Sequence, residues 1–101
     1  MDLRQQDLYG KHDQLIELKR QTYDTLYNRC LNIIKMTAKA GELICFFEIP
    51  SFLFGVGYSI VNVKMCANYI MNKLTTSNKN IRTAFFEPNI IFIDWRRDED
   101  L

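Results

Sequence analysis

The chain has 101 residues, 48% of them hydrophobic and 25% charged, with thirteen lysines and arginines against twelve aspartates and glutamates. That length supports a single core, and the mixture is that of a globular chain, not a disordered one. A net charge of +1 argues against a nucleic-acid module that depends on a broad basic footprint. The charge is uneven: residues 60–82 carry Lys64, Lys73, Lys79 and Arg82 with no acid, and the chain ends in RRDEDL.

In chain order, residues 1–12 are polar and read as a flexible lead-in, with no secretory signal. A helix is predicted from Asp13 to Ala40. Tyr23, Leu26, Tyr27, Cys30, Ile33, Ile34 and Ala38 recur at three- and four-residue spacing, with polar residues between them. Asp13 is the expected N-cap, and Gly41 the left-handed stop. LICFFEI, residues 43–49, is a nearly continuous apolar run ended by Pro50, which predicts a strand covered on both faces. SFLFGVGYS is a connector with room for a short helical turn. Ser59 is the expected cap of a second helix over 60–76, whose stripe is Val63, Cys66, Ala67, Ile70, Met71 and Leu74. IRTAFFE and NIIFIDW are two strands joined through Pro88-Asn89, a hairpin.

The expected fold is therefore α+β: a long N-terminal helix, a strand, a second helix and a C-terminal β-hairpin, giving a three-stranded, mainly antiparallel sheet. Residues 13–95 form the domain and 96–101 an acidic tail. The apolar run 44–63 is not expected to span a membrane, because Pro50, Gly55, Gly57 and Glu48 interrupt it.

No reactive constellation emerges. GVG at 55–57 lacks the third glycine of the dinucleotide fingerprint, where Ile60 stands, and lacks the lysine and hydroxyl of a P-loop. His12, the single histidine, has no cysteine near it in sequence. Cys30, Cys45 and Cys66 stand far apart within apolar patterns and read as small buried hydrophobes of a reducing compartment. Spacing brings no two carboxylates together, and Glu48 is expected to turn outward at a strand end. The expectation is a protein that is not an enzyme, with no catalytic, cofactor-binding or metal-binding residues.

The long helix is the most informative element. Residues 13–40 as a helix run about 40 Å, against a diameter of roughly 33 Å for a compact domain of this size. Its first half would carry apolar side chains into water, so Leu15, Ile16, Leu18, Tyr23 and Tyr27 are the expected docking stripe for other protein chains. The competing expectation comes from element order, which is that of a winged-helix domain with residues 51–55 as a stunted helix. Nucleic acid would then meet Lys64, Asn68, Lys73, Lys79 and Arg82.

The stretch EIPSFLFGVGYSIVNVKMCANYIMNKL followed by FFEPNIIFIDW resembles a group of small proteins of nucleocytoplasmic large DNA viruses. The resemblance covers roughly residues 23–95 and rests on Ile49, Pro50, Phe52, Gly55, Tyr69, Pro88, Asn89, Ile93 and Trp95. It implies a viral protein made in host cytoplasm, a structural or adaptor component of the virion such as a minor capsid protein. It carries no catalytic residue across.

Overall fold

A computed structural model describes residues 3–53 and 60–101. Helix α1 is Gln5–Lys39, strand β1 Ile44–Glu48, helix α2 Val63–Ser77, strand β2 Arg82–Phe86 and strand β3 Ile90–Asp94. The three strands form one antiparallel sheet in the order β1-β3-β2. The α+β expectation holds.

Helix α1 starts eight residues before the expected cap at Asp13, so most of the segment read as a lead-in is helical. The reason is local. The Asp7 carboxylate accepts the Arg4 backbone N–H at 3.1 Å, closing the first turn and placing a negative charge at the positive end of the helix dipole. The other end stops as expected. Gly41 adopts φ 85°, and the Gly41 and Glu42 N–H groups donate to the Ala38 and Thr37 carbonyls at 3.0 and 3.1 Å, the paired bonds of a Schellman stop.

Between β1 and α2 the expectation needs correction. Helix α2 begins at Val63, not at 60, and its cap is Asn62, whose side chain accepts the Met65 N–H at 3.1 Å. Ile60 instead forms an antiparallel bridge with Phe52, and the Val61 N–H donates to the Ser51 carbonyl at 3.0 Å. Extended pairing takes the two residues assigned to the helix and buries Val61. No helix is present at residues 51–53. The glycines 55 and 57 and the proposed cap Ser59 lie outside the described residues.

The hairpin forms as expected, with Phe86 paired to Ile90 and a cis Glu87–Pro88 peptide in the turn. Asn89 has a further task. Its carbonyl accepts the Ile49 N–H at 2.8 Å, and its side-chain amide donates to the Ile49 carbonyl at 3.1 Å and to Glu48 at 3.3 Å. The turn thus pins the end of β1 to the centre of the sheet. Residues Asp98–Asp100, in the expected acidic tail, form a 3-10 turn held by Arg97.

The core lies between the two helices and one face of the sheet. Alternate residues Cys45, Phe47 and Ile49 of the first strand region and Ile91 and Ile93 of β3 point inward, to meet Leu26 and Cys30 of α1 and Cys66, Ala67, Ile70 and Leu74 of α2. Among the described residues no helix is long and apolar enough to cross a membrane.

The α1 rod outreaches this globule. Thirty-five residues at 1.5 Å each run about 52 Å. The molecule measures 68 × 26 × 24 Å with a radius of gyration of 17.1 Å, where a compact chain of this length has about 13 Å.

Candidate docking surfaces

Along α1, burial divides at about residue 20. Thr22, Leu26 and Cys30, spaced by four, are buried against the sheet and α2. N-terminal to them Leu8, Tyr9, Leu15 and Ile16 continue the apolar side of the helix but are exposed, at 57, 50, 38 and 53%. Of the five predicted docking residues, Leu15 and Ile16 therefore lie on the projecting segment and Leu18 is half-buried. Tyr23 and Tyr27 lie on the seam with α2. The Tyr23 ring tilts against Tyr69 with centroids 5.6 Å apart, and the Lys73 ammonium sits 4.8 Å above the Tyr27 ring.

That seam is held by a polar cluster. The Tyr69 hydroxyl donates to Asp24, while Lys73 donates to the same carboxylate at 3.3 Å and to the Tyr69 oxygen at 3.2 Å. The Tyr69 bond, ahead of the Lys73 contacts, holds the Asp24 carboxyl below its usual range. Burial, and then the neighbouring carboxylate, raises the Tyr69 phenol. The cluster ties α1 to α2 just where the projecting segment begins. A groove of about 380 Å³ opens there, lined by Ile16, Lys19, Arg20, Tyr23, Met65 and Tyr69.

The residues proposed for nucleic acid do not share a face. Lys64 and Asn68 are exposed on α2, but Lys73 follows Lys64 by nine residues, about two and a half turns, and reaches back to α1. Arg82 stands on the far side of the sheet, 3.4 Å from Asp94, and donates to the Arg96 carbonyl at 2.7 Å. Lys79 is exposed in the loop before β2.

Two chemical readings are narrowed. Among the described residues no group of three His, Cys, Asp or Glu side chains could hold a metal ion. The three cysteines are free thiols inside the core, and burial pushes Cys30 and Cys66 up to about 12 and raises Cys45 as well. A thiol so buried packs as a small hydrophobe.

The outward face of the sheet departs most from expectation. The strand 43–49 was expected to be covered on both sides. Phe46 of β1 and Phe86 of β2 are instead 60 and 53% exposed, flanking a half-buried Phe92 on β3. Their rings cluster, with Phe46–Phe92 centroids at 5.3 Å and Phe86–Phe92 at 6.3 Å. The signal was in the sequence: a strand apolar at both odd and even positions needs two covers, and the helices among the described residues cover only one face.

Residues 3–75, which include α1, β1 and all but the last two residues of α2, match the family described as a family of unknown function, DUF5759. The chain is 64% identical over 97 residues to the uncharacterized protein R447 of Acanthamoeba polyphaga mimivirus, an alignment covering 96% of this chain and 79% of that protein. No solved structure matches. The resemblance to small proteins of large DNA viruses agrees with this viral relative.

Proposed function

The chain belongs to the DUF5759 family, and on that premise we propose that it is a non-enzymatic structural or adaptor protein of a large DNA virus, acting by protein–protein docking. The observation that carries this reading is the projecting segment of α1, where Leu8, Tyr9, Leu15 and Ile16 extend an apolar stripe beyond the globule that buries its other half. Apolar side chains in contiguous rows on a helix are the surface that a second chain covers. Leu15, Ile16 and Leu18 form the projecting part of the contact, with Tyr23 and Tyr27 at its base. The kinship to a mimivirus protein supports placing this activity in the virion or the host cytoplasm, as for a minor capsid or virion-associated component.

The nucleic-acid alternative, a winged-helix-like binder, gains nothing from the dispersal of its five polar residues. Two measurements test the choice. In the first, a short DNA duplex is titrated with the protein at two salt concentrations. Affinity that falls steeply with salt would overturn the docking reading. In the second, partners are captured from virus-producing cells with the wild-type chain and with Leu15→Glu/Ile16→Glu, after circular dichroism has shown equal helicity. Docking predicts partners retained by the first and lost by the second, and identical capture sets refute it.

A further inference from the structure

We infer that the outward face of the sheet is a self-association surface, which packs face to face on the same face of a second copy of this chain. This goes beyond the docking stripe of α1 and does not depend on it, because α1 packs on the opposite face of the sheet.

Three rows of residues make up the surface. By register they are Ile44, Asp94 and Arg82; then Phe46, Phe92 and Ala84; then Glu48, Ile90 and Phe86. An antiparallel sheet with one wet face shows alternating apolar and polar residues, the polar ones turned to water. Here Ile44, Phe46, Phe92, Ile90 and Phe86 all turn outward by register; Phe46 and Phe86 are exposed, and Ile44, Ile90 and Phe92 are half-buried. A sheet that is apolar on both faces is one half of a sandwich, whose two sheets lie about 10 Å apart with interleaved side chains.

Charge selects the occupant and its orientation. One end of the face carries Arg82 and Arg96 around the carboxylate of Asp94, at 3.4 and 2.9 Å, three side chains that sum to one positive charge. The other end carries Glu48 and, next to Phe86, Glu87. A two-fold axis lying in the interface across the strands sets the basic end of each copy over the acidic end of the other. It also places Phe46 over the second copy's Phe46 and Phe92 over its Phe92. The other in-plane axis, along the strands, would pair like charges and is disfavoured.

The area sets the strength. With roughly 200 Å² for each aromatic side chain, the exposed fractions of Phe46 and Phe86 and the half-buried Ile44, Ile90 and Phe92 offer roughly 400 Å² per copy. Two copies bury at most roughly 800 Å² in all, below the usual size of a stable specific interface. The dimer is therefore weak and reversible.

The test is sedimentation equilibrium of the full chain from about 1 µM to about 1 mM, on wild type, Phe46→Lys, Glu87→Lys and Leu15→Glu/Ile16→Glu. The expected result is a rise from monomer to dimer mass in wild type and in the helix variant, and none in Phe46→Lys, whose circular dichroism is unchanged. Glu87→Lys raises the dissociation constant roughly 3- to 10-fold. A short thiol crosslinker should join Phe46→Cys to itself far faster than Lys35→Cys, the native thiols being buried. Wild type that stays monomeric throughout overturns the inference and leaves the docking reading of α1 intact. Dimerisation abolished by the helix variant but not by Phe46→Lys overturns it as well, and assigns self-association to α1. A dimer in which Phe46→Cys fails to crosslink, or that ignores Glu87→Lys, refutes the proposed orientation.

Discussion

Leucine-to-alanine substitution at two points of α1 measures where the rod leaves its globule. Leu26 is completely buried, so its truncation removes buried methyl groups and leaves a cavity among Cys45, Phe47, Ile70 and the rest of the core, a loss of about 3–5 kcal/mol. For a domain whose whole stability is about 5–15 kcal/mol that is severe, equivalent to a drop of more than 10 °C in melting temperature, at about 4 °C or more per kcal/mol. Leu8 is 57% exposed. Its replacement by alanine, a better helix former, should change stability by no more than about 0.5 kcal/mol. Leu15, 38% exposed, should fall between the two. The assay is urea unfolding of dilute protein, followed by Trp95 fluorescence, because Trp95 packs against the core while the projecting segment does not. A Leu8→Ala loss above about 1.5 kcal/mol in dilute solution, with an unchanged denaturant slope, would show that the chain's own residues cover this segment. The projecting segment would then offer no open surface to a second chain.

Further outcomes follow from the polar contacts and the thiols. Asn62→Ala removes the cap of α2 and should cost about 1 kcal/mol in urea unfolding, with Asn62→Asp nearly neutral. Asp94, held well below the usual carboxylate range by the side chain of Arg96, then by its backbone N–H, and further by Arg82, contributes stability that is complete above about pH 4 and lost as pH falls through its lowered folded value. Unfolding midpoints measured between neutral pH and pH 2 should therefore fall less steeply in Asp94→Asn than in wild type, and parallel curves would refute the assignment. Cys30 and Cys66, pushed up to about 12 by burial, should resist alkylation at pH 8 in the folded protein and react once urea unfolds it, as counted by mass spectrometry.

What could be read from the sequence was whatever depended on short-range pattern. The three- and four-residue spacing through Leu26 and Cys30, the glycine stop at 41 and the paired strands around Pro88-Asn89 depend on local chemistry, and each stands where it was expected. Two errors share another origin, a capping side chain judged from identity without its geometry. Asp13 and Ser59 are good caps by type, yet α1 starts through Asp7 and α2 through Asn62. Once Ile60 paired with Phe52, the first turn assigned to α2 was no longer available. The docking stripe was half legible. Its exposed part was correct at Leu15 and Ile16, but Tyr23 and Tyr27 meet α2 through Tyr69 and Lys73, partners that stand more than forty residues away in sequence. The aromatic sheet face was hidden because burial was inferred for each strand alone, and the number of available covering layers is a property of the whole chain.

The distribution of polar contacts connects the two candidate surfaces. Asp24, Tyr69 and Lys73 bind one another across the helix seam, and Asp94 is satisfied by Arg82 and Arg96 at the sheet end. Asn89 closes the hairpin onto β1, and Arg97 is matched by Glu99 and Asp100. These groups fix one element against another, and no buried side-chain polar atom among the described residues lacks a partner. A reactive site draws on groups held in tension with their surroundings, a displaced proton affinity facing a cavity or a buried donor aimed at a ligand. Among the described residues the displaced groups are explained by their neighbours in the fold, and two apolar surfaces stand open to water: the Leu8–Ile16 stripe and the Phe46–Phe92–Phe86 cluster. The two lie on different sides of the molecule, so a pair of chains joined through their sheets would keep both helices free. Such a pair would present two docking stripes at once, and a partner with two matching sites would be held far more tightly than one stripe alone allows.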